Sequence, residues 1–178
     1  MTEEQLKAIK YYTSSGGFLF CQMYADASED MRKSDDRLQT AKKKIEILSS
    51  MMEPIGQKMK FYKYTTFDLL PPKILYLNRM KKTDKIITEY WNDIKGNPFK
   101  DNSFISVCSE PEGENEIFKH MNIIWDITAH PTVKGVDIHE HTNMPIKSEW
   151  LLSPDTEYVI SDWIKRDDGK IVFKINAK

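Results

Sequence analysis

Polar and apolar residues alternate at helical spacing in the first part of the chain. Thr2, followed three residues later by Gln5, has the form of a capping box and predicts a short helix through about Tyr12. Ser14 and Ser15 can cap a second helix directly after it. The chain is therefore predicted to begin with two short, closely spaced helices.

A longer amphipathic helix follows the acidic residues 27–30 (ASED). Its apolar positions recur three and four residues apart with lysines between them, and Pro54 and Gly56 end the pattern. The lysine-rich face is most simply solvated, so we interpret this segment as a scaffold helix. Its apolar positions are Leu38, Ala41, Ile45, Leu48 and Met52.

From about residue 57 onward the pattern favours strands. Residues 58–67 (KMKFYKYTTF) have the aromatic and β-branched content of a strand. Side chains alternate between the two faces of a strand, so a lysine is expected to share a face with apolar residues. One predicted face carries Met59, Phe61, Lys63 and Thr65, and the other carries Tyr62 and Tyr64.

Two helices and then a run of strands complete the pattern. Pro71-Pro72 precedes a short helix through about Met80, and a second helix is predicted from Thr83 to Ile94, ended by Gly96. Asp168-Gly169 is a strong hairpin signal between the last two strands. The predicted strands are SFISVC, NIIWDI, the stretch around Val136–Ile138, IKSEWLL, TEYVISDWI and KIVFKI.

Helices followed by antiparallel strands predict an α+β fold. We expect a single domain over residues 1–178, with a helical part at 1–56 and a β-rich part at 57–178. No repeat, low-complexity segment or long linker divides it.

Composition and charge narrow the possible partners. Hydrophobic residues make up 40% and charged residues 30% of the 178 residues, and the net charge is −1. The protein therefore has no large net charge that would attract it to nucleic acid or anionic lipid.

Cys21 and Cys108 are predicted to be buried thiols rather than a disulfide. With no signal peptide and no membrane-spanning segment, we expect a cytoplasmic protein, although secretion without a cleaved signal would leave no trace.

The familiar chemical motifs do not occur. The sequence has no glycine-rich phosphate loop, no Ser-His-Asp order and no zinc spacing. His139 and His141 flank Glu140 and would share a strand face, but no third ligand stands at suggestive spacing. The basic run from Lys73 to Lys85 is interrupted by apolar residues and suits an exposed helix face better than a nucleic-acid groove. We predict solvated histidines and no metal site.

Five short segments follow one another along the chain: AIKYYTSSGGFLFCQMYA, FYKYT, SFISVCSEP, IIWDITAHPTVKGVDI and KSEWLLSPDTEYVI. Together they span roughly residues 7 to 175. In this order they resemble segments of the mono-ADP-ribosyltransferase superfamily, in the Arg-Ser-Glu motif class of bacterial toxins and phage proteins. The resemblance implies N-terminal helices packed on two mainly antiparallel β-sheets that form an NAD cleft.

The resemblance implies that Glu149 is the catalytic glutamate and that Ser106 orients it. Cleavage of the nicotinamide–ribose bond of NAD develops positive charge on the ribose, which a fixed carboxylate stabilises in the transition state. The carboxylate also accepts a hydrogen bond from a ribose hydroxyl, as in glycoside hydrolysis. The alternatives are a solvated strand-end glutamate and an ordinary strand serine.

The resemblance implies that NAD is bound through Lys63, Tyr64 and Phe118. Lys63 stands where the family has an arginine, and a lysine keeps the charge without the fork that grips phosphate oxygens. Arg79 is another cation suited to that role, and a plain surface lysine remains an alternative for Lys63. Phe118 is a candidate to stack on nicotinamide or to fill the core.

Three further positions depart from the family pattern. Val107 and Cys108 replace a threonine and a serine, and Lys147 stands where arginine-modifying members carry a second glutamate. Strand alternation would direct Lys147 into the cleft beside Glu149, where a cation repels an incoming arginine and lowers the pKa of Glu149. We therefore assign Lys147 to acceptor recognition and expect the acceptor not to be a protein arginine.

The resulting hypothesis is a toxin-like, NAD-dependent mono-ADP-ribosyltransferase acting on an unidentified macromolecule, protein rather than nucleic acid. The compartment would be the cytoplasm, including that of a host cell after phage infection or delivery. Two alternatives stay open: a catalytically inactive member that binds or inhibits another protein, and an unrelated α+β protein.

Overall fold

The computed structural model describes residues 1–65 and 83–178. The predicted Pro71-Pro72 turn, the helix through Met80, Arg79 and most of the basic run from Lys73 lie outside these residues. Within them the chain forms five helices and nine strands, so the predicted α+β class is confirmed. The helices are α1 (Glu3–Tyr12), α2 (Ser15–Asp26), α3 (Glu29–Ser34), α4 (Asp36–Ser50) and α5 (Thr83–Ile94).

The strands occupy the second part of the chain, as predicted. Two short ones, β1 and β3, were not expected from the sequence. The strands are β1 (Glu53–Pro54), β2 (Met59–Thr65), β3 (Pro98–Lys100), β4 (Ile105–Cys108), β5 (Ile123–Ala129), β6 (Lys134–Asp137), β7 (Glu149–Leu152), β8 (Glu157–Lys165) and β9 (Ile171–Ala177).

Local sequence signals explain where the helices begin. The Thr2 hydroxyl accepts a hydrogen bond from the Gln5 backbone at 3.2 Å, and the Gln5 side chain accepts one from the Thr2 backbone at 2.8 Å, which confirms the capping box. Ser14 caps α2, and Asp35 caps α4. The short helix α3 lies between these two helices and was missed, because six residues carry too little periodicity to be recognised.

Gly17 allows α2 to start directly against the end of α1. A Cβ atom on Gly17 would lie 1.8 Å from the backbone oxygen of Tyr11. Any other residue at this position would push the two helices apart. The close approach fixes the N-terminal residues of α2 beside the sheet.

The described strands form one mixed sheet in the order β1-β6-β7-β4-β2-β5-β9-β8-β3. β5 and β9 pair in parallel, and every other pair of described strands is antiparallel. Between β4 and β2 the register contains a single pair, Tyr62 with Cys108. We call this pair the seam. The two sheets expected from the resemblance are thus two half-sheets joined at the seam.

Apolar residues fill both faces of this sheet. On one face Ile87 and Ile94 of α5 belong to the same core cluster as Phe61, Trp125 and Phe173. On the other face the N-terminal helices pack around Tyr12, and the remaining members of that cluster include Ile9, Leu48, Phe104 and Leu151. β8 and β9 form the predicted hairpin, with Gly169 at φ +81° in its turn. None of the helices within residues 1–65 and 83–178 has the length and apolar character needed to cross a bilayer.

Candidate functional site

Glu149 is a buried carboxylate at the first position of β7. Its residue surface is 2% exposed, and Oε1 accepts a 2.6 Å hydrogen bond from the hydroxyl of Ser106 on β4. Within the described part of the chain, Oε2 of Glu149 is buried without a hydrogen-bond partner. Burying a carboxylate oxygen without a hydrogen-bond partner costs free energy. Such unsatisfied polar atoms are common in sites that receive a ligand.

Strand alternation explains how Ser106 and Glu149 reach the same side of the sheet. Val107 and Leu152 belong to the core that α5 covers, so their sequence neighbours face the opposite side. In the β4–β7 register, Cys108 is the direct partner of Glu149 and Ser106 is its diagonal neighbour. The two predicted catalytic side chains are therefore in contact, and the first alternative for Glu149, a solvated residue, is wrong.

Burial raises the pKa of Glu149 from its ordinary value of 4.5. The interactions with the Ser106 and Thr142 side chains oppose this shift because they favour the charged form, whereas the negative charge of Glu112 adds to it. Of the two opposing neighbours, Ser106 has the larger effect on the pKa of Glu149.

Glu149 opens onto a cavity of about 350 Å³. We call it the carboxylate cavity; it lies between the end of α1, the start of α2 and strands β2, β4 and β7. Tyr64 and Phe118 line it, and their rings stack with centroids 4.6 Å apart. Phe118 is 7% exposed and packs in the core, as one of its two interpretations expected, and it also lines the cavity. Other lining residues are Tyr12, Ser14, Phe18, Ser106, Met144 and Ile146.

A second, more polar cavity of about 490 Å³ adjoins the first. We call it the polar cavity. Phe18 and Lys63 line both cavities, and Lys100, Asp101 and Asn102 line only the polar one. The Lys63 ammonium lies 6.0 Å from the ring centroid of Trp125, in cation–π range. Lys63 therefore lies where the two cavities meet.

Lys147 does not occupy the position that strand alternation predicts. β7 begins at Glu149, and Lys147 is an exposed residue of the preceding turn, outside the residues lining either cavity. The backbone N–H groups of Lys147 and Ser148 donate to the Glu112 carboxylate, at 3.2 and 2.9 Å, instead of to a neighbouring strand. The expected side-by-side arrangement of Lys147 and Glu149 is therefore wrong.

Sequence reasoning also missed Glu112, in the loop between β4 and β5. Its carboxylate accepts the hydrogen bonds from Lys147 and Ser148, and its backbone N–H donates to the Tyr64 hydroxyl at 2.9 Å. No spacing or motif marks it, because the contact joins residues 36 positions apart along the chain. His139 is exposed, and its Nδ1 lies 2.7 Å from Oδ1 of Asp137.

The two cysteines are buried thiols, as predicted, and neither forms a disulfide. Burial raises the pKa of Cys21 to about 11 and that of Cys108 to about 12. Cys108 lines the carboxylate cavity as a neutral thiol at physiological pH.

Comparison with known proteins agrees with this geometry. The family model described as ADP-ribosyltransferase exoenzyme matches residues 1–178, which confirms the resemblance read from the five segments. No individually curated protein was found to be similar in sequence.

Three solved structures illustrate the shared fold. The Clostridium limosum C3 exoenzyme superimposes with a TM-score of 0.76 at 18% identity, covering 100% of this chain and 86% of that chain. C3stau2 from S. aureus, solved with NAD, gives a TM-score of 0.73 at 16% identity over 100% and 88% of the two chains. Plx2a, an ADP-ribosyltransferase toxin from Paenibacillus larvae, gives 0.74 at 14% identity over 100% and 87%.

Proposed function

The chain belongs to the ADP-ribosyltransferase exoenzyme family, and from that premise we propose that it is an active mono-ADP-ribosyltransferase. It cleaves NAD and transfers ADP-ribose to a macromolecular acceptor, a protein rather than a nucleic acid. Glu149 and Ser106 form the catalytic pair. Lys63, Tyr64 and Phe118 contact NAD.

The buried, half-satisfied carboxylate of Glu149 carries this proposal. One oxygen is held by Ser106 at 2.6 Å, and the other has no partner among the described residues. A ribose hydroxyl is a donor of the right kind for that oxygen. Because the carboxylate is fixed before the ligand arrives, it needs no reorganisation when charge develops.

The reaction follows from the position of this charge. The bond between the ribose C1′ and the nicotinamide nitrogen breaks, and nicotinamide leaves with the electron pair. The positive charge left on the ribose is stabilised by the Glu149 carboxylate, and the acceptor nucleophile then forms a bond to C1′ and loses its proton. Removal of one such charge-stabilising group typically costs about 10²–10³ in kcat.

The two adjoining cavities suit the two ends of a dinucleotide. We assign the nicotinamide–ribose end to the carboxylate cavity, where stacked Tyr64 and Phe118 offer an aromatic wall. The pyrophosphate then lies near Lys63, which lines both cavities, and the adenosine end enters the polar cavity. Lys63 supplies a point charge to the phosphates without a bidentate fork.

The acceptor is not expected to be a protein arginine. Arginine-modifying members have a second glutamate two residues before the catalytic one, and this chain has Lys147 there. Lys147 is exposed on the turn beside Glu149, which supports a role in recognising an acidic acceptor surface.

A direct assay tests the proposal. Purified protein is incubated with NAD labelled in the nicotinamide and adenine portions, with and without cell lysate. We expect nicotinamide release and label on protein for the wild type and for Glu89→Gln, an exposed helix control, and loss of both for Glu149→Gln. A folded wild-type protein that neither releases nicotinamide nor transfers label would refute catalysis.

A non-catalytic, protein-binding role is the second candidate. It is favoured by Lys63, Lys147 and Cys108, which replace residues of the family pattern. It predicts that partner capture by wild type and Glu149→Gln is identical and that neither releases nicotinamide. The same labelled-NAD assay separates it from the first candidate.

A further inference from the structure

In the loop between β4 and β5, the carboxylate of Glu112 accepts hydrogen bonds from the turn before β7. Oε1 of Glu112 accepts hydrogen bonds from the Ser148 backbone at 2.9 Å and the Ser148 hydroxyl at 2.7 Å. Oε2 accepts from the Lys147 backbone at 3.2 Å and from the Asn115 side chain at 3.3 Å. This one side chain therefore satisfies four donors, three of which belong to the two residues directly before Glu149.

We infer that Glu112 is a positioning residue for Glu149: it fixes the turn from which β7 starts and thereby fixes the direction in which the Glu149 carboxylate points. The inference rests on the proposed function, since it assigns a role in that reaction. Glu112 itself does not contact the reacting atoms.

Further contacts bind the same loop to both walls of the carboxylate cavity. The Ser148 hydroxyl accepts a hydrogen bond from the Glu110 backbone at 3.3 Å, and the Ser148 carbonyl accepts one from the Ser109 backbone at 2.9 Å. On the opposite wall, the Glu112 backbone donates to the Tyr64 hydroxyl at 2.9 Å. Displacing Glu112 would therefore release the start of β7 and loosen the Tyr64 contact together.

The charge of Glu112 also acts on Glu149. Burial works to raise the pKa of Glu112, but the hydrogen bonds from Ser148, Lys147 and Asn115 outweigh it and lower the pKa. Glu112 is thus ionised at neutral pH, and its negative charge raises the pKa of Glu149 beyond the effect of burial. Tyr12 and Cys108 also face Glu149, and Lys63 lines the same cavity.

Two substitutions separate the geometric role from the electrostatic one. Glu112→Ala removes the acceptors and the charge, whereas Glu112→Gln removes the charge but keeps one oxygen for Ser148. Glu114→Ala, at an exposed residue of the same loop, is the matched control. A misplacement of about 1 Å in a catalytic group can cost on the order of 100-fold in rate.

We expect Glu112→Ala to lower kcat for nicotinamide release at least tenfold with little change in the KM for NAD. Glu112→Gln is expected to retain more of kcat and to lower the pKa of Glu149, measured by carboxyl ¹³C NMR, so that the acid limb of the kcat profile moves to lower pH. Equal kcat in Glu112→Ala and Glu114→Ala, both folded, would overturn the inference.

A measurement that does not depend on catalysis separates this inference from the proposed function. Hydrogen exchange of the Ser148 amide is expected to be at least tenfold faster in Glu112→Ala than in wild type or Glu114→Ala. If wild type releases no nicotinamide but this exchange difference is seen, the proposed function fails while the contact stands. Unchanged exchange overturns the positioning role whatever the activity, and Glu112→Asp, whose carboxylate is one methylene shorter, provides the same comparison if Glu112→Ala does not fold.

Discussion

The hydroxyl of Ser106 donates a 2.6 Å hydrogen bond to Oε1 of Glu149, although the direct strand partner of Glu149 is Cys108. The contact is diagonal, so it depends on the register between β4 and β7. A shift of one residue in that register would turn one of the two side chains into the α5-covered core. The contact between these two proposed catalytic residues therefore depends on the packing of the sheet beneath them.

Ser106→Ala is expected to lower kcat for nicotinamide release about tenfold at neutral pH, the scale of one hydrogen bond to a charged group. The hydrogen bond from Ser106 lowers the pKa of Glu149, so its loss raises that pKa further. The carboxylate form then appears only at higher pH, and the acid limb of the kcat profile moves upward. Ser49→Ala, at an exposed serine of α4, should show neither change.

Glu149→Gln is expected to stabilise the fold at neutral pH while abolishing activity. Burial raises the pKa of Glu149 above 4.5, so folding favours its protonated form. Stability from this group is present below pH 4.5 and is lost as pH rises through the folded pKa. We expect a gain of about 1 kcal/mol, or about 2–4 °C in Tm, by calorimetry at pH 7. The gain should vanish at acid pH, and an equal gain at both pH values would contradict this account.

Gly17→Ala and Gly16→Ala are expected to change stability in opposite directions. A Cβ on Gly17 would meet the Tyr11 oxygen at 1.8 Å, whereas one on Gly16 would have no neighbour within 4 Å. Gly17→Ala should cost about 3 kcal/mol of unfolding free energy, and Gly16→Ala should add about 0.5–1 kcal/mol. Urea unfolding of both variants checks the pair. A mild effect of Gly17→Ala would mean that α2 shifts freely against α1.

Lys63→Ala is expected to weaken NAD binding about tenfold or more, because a charge-assisted contact to phosphate is lost. Lys63→Arg restores the planar fork and should bind NAD at least as tightly as wild type. Isothermal titration calorimetry measures both, with Lys58→Ala as an exposed control. Identical Kd values for wild type and Lys63→Ala would show that Lys63 does not contribute to NAD binding.

Lys147→Ala is expected to leave nicotinamide release unchanged, since Lys147 lies outside both cavities. Transfer of ADP-ribose to the acceptor should fall severalfold, because an exposed cation beside the site is lost. Comparing the two rates in one lysate assay isolates acceptor recognition from chemistry. A change in nicotinamide release alone would place Lys147 in NAD binding instead.

Local signals predicted much of the fold. The capping box at Thr2, the apolar spacing of α4 and the Asp168-Gly169 turn each act within a few residues, and the structure confirms them. β1 and β3 escaped prediction because strands of two and three residues are defined by the strand they pair with. Their own sequences contain no alternation long enough to recognise.

The candidate site residues were predicted from the family resemblance, and strand alternation accounts for their contact only where both residues lie in strands. Ser106 and Glu149 meet because both are strand residues on one face, and Lys63 is part of β2. The same rule failed at Lys147, because Glu112 draws the backbone of residues 147 and 148 out of strand pairing. That contact arises from tertiary folding and has no trace in the spacing of residues along the chain.

In the proposed NAD complex, the seam at Tyr62 and Cys108 gives the dinucleotide a second, mechanical effect. Ser106 and Glu149 belong to one half-sheet, and Lys63 and Tyr64 belong to the other. A ligand that touches both sets spans the line where the sheet is joined by a single residue pair. Such a ligand therefore cross-links the two half-sheets, so the free energy of unfolding rises as the site is occupied.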